Sequence, residues 1–120
     1  MSAREHQEGA AKFEEVMGFK PPEVDDLFLD VTLEHLFPKV WGRGGLSRRE
    51  RRLITLTSIA ALGHEPTLKL HLRAAMQSGD ISDADIDELI VHLAHYLGWP
   101  AGSVVAGVAR QLRAERDQQS

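Results

Sequence analysis

Polar side chains set in apolar helical surroundings are the residues of this sequence most suited to chemistry. His71 lies between Leu70 and Leu72, with Arg73 two residues on. His92 and His95 fall in a run built on Leu89 and Leu93. Tyr96 follows His92 by four residues, which places both on one side of a helix. Trp41 and Trp99 stand beside glycines at the ends of apolar segments, and Arg48, Arg49, Arg51 and Arg52 cluster around Glu50. A pocket rich in imidazole and guanidinium suits an anionic substrate that needs proton transfer, because guanidinium pairs bidentately with carboxylate and imidazole changes charge near neutrality. Each group also has a plainer reading. A histidine among leucines is commonly a hydrogen-bonded structural residue, a run of arginines is commonly a solvated face, and a tryptophan commonly plugs a core. Arg73 fits a surface or intersubunit salt bridge equally well. Basic residues at a helix start oppose its dipole, which favours one of them meeting an anion.

Composition removes whole classes of function. Cysteine is absent, which excludes disulfides, thiolate metal sites, thiol nucleophiles and dithiol redox chemistry. The 14 basic and 18 acidic residues leave a formal charge of -4, which supports neither a nucleic-acid partner nor a polybasic membrane anchor. No stretch has the ~20 apolar residues needed to span a bilayer, and the N-terminus does not read as a secretion signal, so a cytoplasmic protein is expected. His92 and His95 could present two imidazoles on one side, yet no carboxylate completes a familiar hydrolase spacing, and no metal or cofactor is assigned. At 120 residues the chain is expected to form one domain over 1–120, burying roughly 65% of its unfolded surface. That core is thin, and self-association would help it.

The elements that must position these residues read as helices throughout. Residues 1–20 read as a short helix or a peripheral arm, stopped by Gly18 and Pro21–Pro22. Leu29, Leu33, Leu36, Phe37 and Val40 recur at spacings of three and four, with Pro38 complicating the end of that helix. Ser47 and Glu50 have the spacing of a capping box. The next helix, with Leu53, Ile54, Leu56, Ile59, Ala60 and Leu62, is apolar on most sides and is expected to be central, ending at Gly63. A helix from Glu65–Pro66 to Gly79 follows. Another starts at a second box, Ser82 to Asp85, with Ile81 placed as a staple against Ile86. Gly98 closes it, and Pro100 opens a last helix that gives way to a polar tail over 115–120. Nothing alternates with the period of a strand, so the class is all-α, with five or six helices and adjacent ones antiparallel.

The segment Leu46–Gly102 resembles the carboxymuconolactone decarboxylase family, whose wider group includes the alkylhydroperoxidase-like proteins. The resemblance rests on LSRRERRLITLTSIAALG (Leu46–Gly63), LKLHLRAAMQSG (Leu68–Gly79), the helix start Asp85–Ile86–Asp87–Glu88, HLAHYLGWPAG (His92–Gly102), and the upstream Trp41–Gly42. It implies an alkylhydroperoxidase-like helical bundle with a central antiparallel pair. It also implies a homo-oligomer, often a hexamer built as a trimer of dimers. The peroxidase-like branch carries a CxxC pair, a following histidine and an upstream glutamate. Those positions fall here on His64, Thr67, His71 and Arg52, so dithiol peroxide reduction is chemically impossible. His71–Leu72–Arg73 and Arg51 match the decarboxylase branch instead.

For that branch the resemblance implies cofactor-independent conversion of 4-carboxymuconolactone to β-ketoadipate enol-lactone and carbon dioxide, in protocatechuate degradation. Electrons from the departing carboxylate flow through the ring double bond into the lactone carbonyl, giving a dienolate that must be stabilised and then protonated on carbon. Tight contacts to the reacting carboxylate would raise the barrier, whereas the second carboxylate needs holding. On this reading Arg51 and Arg73 are clamps, and His71 is the electrophilic or proton donor. His95 or His92 supplies or orients the second acid, while Tyr96, Trp41 and Trp99 wall the pocket. Two alternatives stand beside it: decarboxylation or isomerisation of another small carboxylated substrate, and a non-catalytic helical oligomer acting as a scaffold. A filled interior with His71, Arg73 and His95 in salt bridges would favour the scaffold. An anion-sized cavity reached by an arginine and a histidine would favour the enzyme.

Overall fold

A computed structural model describes residues 2–119, which are helical with short connections and contain no strand. The chain falls into two compact units, divided after Arg48.

In the N-terminal unit, α1 (Ala3–Met17) is a helix and not a loose arm. The Ser2 side chain accepts the Glu5 amide at 3.1 Å, and Gly18 closes the helix in the left-handed conformation that favours glycine. Pro21 and Pro22 lie in a non-helical stretch. Helix α2 (Leu27–Val31) then starts on Asp26, whose carboxylate accepts the Leu29 amide at 2.7 Å. It continues into a π-helical segment, Thr32–Trp41, that carries Pro38 inside it and does not stop there. Phe13, Val16, Met17, Leu29, Leu33 and Phe37 form one core, with the Phe13 and Phe37 rings edge-to-face at 4.8 Å. Packing is so close that a Cβ on Gly9 would overlap the Leu33 carbonyl oxygen.

In the C-terminal unit, α3 (Arg48–Leu62), α4 (Glu65–Ser78), α5 (Asp83–Leu97) and α6 (Trp99–Gln119) build a second core. Leu56 and Ala60 of α3, Leu68, Leu72 and Ala75 of α4, Ile86 and Leu93 of α5, and Val105, Val108, Ala109 and Leu112 of α6 meet there. Ile81 joins the same core as Ile86, as expected of a staple. The capping box at the start of α5 forms reciprocally: Ser82 Oγ accepts the Asp85 amide at 3.1 Å, and Asp85 Oδ2 accepts the Ser82 amide at 3.0 Å. Gly63 and Gly79 close α3 and α4 at positive φ. Helices α5 and α6 run antiparallel, with Ala94 against Gly102 near their joint and Arg113 reaching back to Asp83 and Asp87 at the far end.

Three local readings change. Helix α3 contributes to the core, but Ile54 and Leu62 on its other side are 54% and 71% exposed. Its arginines are not all a solvated face, since Arg52 is 1% exposed. The polar residues after Glu115 continue α6 to Gln119 and do not form a separate tail, and Arg116 among them holds Asp83 at 3.0 Å. Residue 120 lies outside the described residues. No helix among the described residues is long and apolar enough to cross a membrane.

Candidate active site

Helix periodicity decides where α3, α4 and α5 aim their polar groups. In α3, Arg52 precedes Leu56 and Ala60 at intervals of four, so all three share the buried stripe. Arg52 Nε donates to Asp80 Oδ2 at 3.1 Å, just past the Gly79 cap of α4. Burying a guanidinium is tolerable when a carboxylate is paired with it in this way. His71 on α4 is half-buried, and its Nδ1 is buried with no hydrogen-bond partner among the described residues. Burial, reinforced by the nearby Arg52 charge, pulls this imidazole below its ordinary pKa, so it is neutral at pH 7.

A second group of predicted residues lines an open cleft of ≈ 510 Å³ along α5. His92, His95 and Tyr96 share it with Arg49, Asp85 and Glu88. His92 and Tyr96 stack with centroids 4.7 Å apart, as their spacing of four predicts. His95 Nδ1 lies 2.7 Å from the Val91 carbonyl, which can only accept, so Nδ1 carries a proton and donates it there. The Trp99 indole meets the His95 ring edge-on at 5.6 Å and is 67% exposed, hence no core plug. Arg49 donates to Asp85 at 3.0 Å. The Asp85 carboxyl is held below its ordinary value by the Ser82 backbone first and by Arg49 next.

The remaining candidates stand elsewhere. Arg73 donates to Glu115 Oε2 at 3.2 Å, with Lys69 on the other oxygen at 3.2 Å, and it lines a separate cleft of ≈ 300 Å³ between α4 and α6. These two contacts, Arg73 first, hold Glu115 below the ordinary carboxylate range. Arg51 is half-buried on α3, and Trp41 packs against the Phe13–Phe37 core of the N-terminal unit. The cleft therefore gathers His92, His95 and Tyr96, while His71 and Arg73 line other surroundings. Arg49 and Arg52 read in the sequence only as members of the basic cluster around Glu50, and nothing there singles out Asp80. The Arg52–Leu56–Ala60 stripe was a readable signal for one of them. No group of three His, Asp or Glu side chains among the described residues is gathered to hold a metal ion.

The carboxymuconolactone decarboxylase family model matches residues 26–111, a span containing every candidate named above. The chain belongs to that family. It is 39% identical over 74 residues to 4-carboxymuconolactone decarboxylase of Acinetobacter baylyi, covering 62% of this chain and 54% of that protein. It is 35% identical over 72 residues to nitrosuccinic acid decarboxylase npaB of Metarhizium robertsii, covering 60% and 50%. A third relative, an uncharacterized 15.0 kDa protein of Paracoccus denitrificans, is 32% identical over 89 residues, covering 72% and 66%. The chain spans about half the length of the two decarboxylases it matches. Family membership agrees with the all-helical class read from the sequence.

Proposed function

We propose that this protein is a decarboxylase of a small carboxylated acid, working without a cofactor, with 4-carboxymuconolactone as the leading substrate. The observation that carries the reading is the family match over 26–111, which encloses the whole candidate set. The α5 cleft adds support, since an arginine and two imidazoles reach an anion-sized space. In the reaction, the bond from ring carbon to carboxylate breaks, carbon dioxide leaves, and the electron pair moves into the lactone carbonyl as a dienolate. A neutral His71 suits hydrogen-bond donation to that oxyanion better than proton delivery, because giving up its remaining proton would leave an imidazolate. The proton for carbon then comes from water or from His95, with His92 orienting it. Arg51 is a clamp for the spectator carboxylate. Arg73 is tied to Glu115 in the separate cleft between α4 and α6 and is not assigned to this site. Tyr96 and Trp99 wall the site and limit water, while Trp41 belongs to the core of the N-terminal unit and is not assigned to it.

A second substrate reading, another carboxylated acid, is favoured by the relative named for nitrosuccinic acid. A homo-oligomer, with the family's trimer of dimers as the expected form, is supported by the exposure of Ile54, Leu62, Tyr96 and Trp99 on the single chain. The deciding experiment mixes purified protein with freshly generated 4-carboxymuconolactone and follows carbon dioxide and ultraviolet absorbance. Acceleration over the spontaneous rate is expected, and its absence removes this substrate.

A further inference from the structure

The α5 cleft is lined by two carboxylates, and they are not equivalent. Both oxygens of Asp85 are committed: Oδ1 accepts from Arg49 at 3.0 Å and Oδ2 from the Ser82 amide at 3.0 Å. That pairing cancels the charge of the guanidinium that lines the cleft. Glu88 lines the same cleft and has no hydrogen bond or ion pair among the described residues. Helix capping does not account for it. An acid favours the helix dipole within the first turn, which Asp83 and Asp85 already occupy, and Glu88 lies in the second. Spacings of three, four and three put Asp85, Glu88, His92 and His95 in a row along one face of α5. At the rise of a helix, Glu88 stands about 6 Å before His92 along the axis. A ligand carboxylate lying between these two meets an imidazole on one side and an uncompensated negative charge on the other. That place resists a charged group and accepts a neutral one.

We propose that Glu88 is a catalytic residue of the α5 cleft that opposes the reacting carboxylate of the substrate. The reacting group carries its negative charge only until the carbon–carbon bond breaks. Carbon dioxide then leaves neutral, and the electron pair passes into the lactone carbonyl as a dienolate, away from the breaking bond. Repulsion by Glu88 falls along that path, so it raises the ground state more than the transition state and lowers the barrier between them. Asp85 cannot act in this way, because Arg49 already neutralises it. Glu88 moves no proton in this role. The proposal deepens the decarboxylase reading and rests on it, but its first test needs no turnover.

The test compares adipate, a stable dianion, with monomethyl adipate, a monoanion of similar length, on the full chain at low salt. Binding is followed by nuclear magnetic resonance on the His92 and His95 rings, assigned by their loss in His92→Gln and His95→Gln, so that it reports on this cleft. In Glu88→Gln, adipate is expected to bind about fivefold more tightly, the effect of one unit charge at close range in water, and the monoester to gain less. The gain should shrink as salt is added. Glu88→Asp keeps the charge and should stay near the wild type. Equal adipate affinity in wild type and Glu88→Gln overturns the proposal. So does an equal gain for the monoester, a Glu88→Asp that behaves as Glu88→Gln, or rings that respond to neither ligand in any variant. In turnover, Glu88→Gln should lower kcat and KM together, the signature of lost ground-state repulsion, whereas a lowered kcat with a raised KM overturns it. A wild type that turns over no carboxylated acid refutes the decarboxylase reading and the catalytic role with it. The ring titrations still decide the charge discrimination, so the two failures are distinguishable.

Discussion

The two units of this chain use the same packing device and a different kind of electrostatics. In each, a glycine allows close helical approach: Gly9 against the Leu33 backbone in the N-terminal unit, and Gly102 against Ala94 in the C-terminal one. The N-terminal core closes with aromatic edge-to-face contacts, and two of its ion pairs, Arg4–Glu8 and Lys12–Glu15, lie within one exposed helix. Such pairs are worth only about 0.3–0.5 kcal/mol each. The C-terminal unit carries Arg52–Asp80, Arg73–Glu115, Arg49–Asp85 and Arg113–Asp87 across elements, and it also holds His71, His92 and His95. The N-terminal unit adds a long-range pair, Arg48–Glu15 at 3.1 Å, to its packing. Where charged groups must be held in place, long-range pairs set where guanidiniums stand.

The largest expected effect breaks the buried pair. Arg52→Met alone leaves Asp80 without its buried cation and should cost about 3–5 kcal/mol of stability, read as a drop in denaturant midpoint. A loss below 1 kcal/mol would mean the pair is structurally idle. Next comes chemistry without stability. His71→Ala should lower turnover by about 10²–10³-fold, the loss seen when one oxyanion donor is removed, while circular dichroism stays native. Unchanged kinetics in the folded variant would remove His71 from the site.

Gly9→Ala tests the other unit. The added methyl must displace the Leu33 backbone, and overpacking of this kind costs about 1–3 kcal/mol. The His71 titration should not move, so a shift in it would undo the contrast between the units. Ser82→Ala removes one half of the α5 capping box and should cost about 1 kcal/mol, measured by thermal melting.

The smallest effect is a pH dependence. The unfolded His71 takes up a proton near pH ~6.5, whereas burial and Arg52 make the folded one resist it. Its contribution to stability is therefore complete above that pH and declines as the pH falls from there to the lowered folded value. Asp83, Asp85 and Glu115, all held below their ordinary values, lose their contributions only further down, in the carboxylate range. Wild type and His71→Gln compared by denaturation between the two ranges should differ in slope, and parallel curves would contradict the assignment.

Local rules made much of this molecule legible in advance. The glycine stops at Gly63 and Gly79, the Ser82–Asp85 box, the stacking of His92 on Tyr96 and the all-helical class follow from interactions three or four residues apart, which a linear sequence displays. The absence of cysteine excluded dithiol chemistry outright. Pro38 misled, because proline ordinarily ends an α-helix and here lies within a π-helical segment. The partner of each charged group was hidden. Arg52 and Asp80 are 28 residues apart and Arg73 and Glu115 are 42 apart, distances over which side-chain periodicity carries no information. Sequence alone determined the all-helical class, the glycine stops and the exclusion of thiol chemistry, since backbone hydrogen bonding and residue chemistry are local. Only the tertiary structure decided which arginine is buried, which is tied to Glu115, and which imidazole is left neutral, because desolvation and charge pairing depend on what folding brings together.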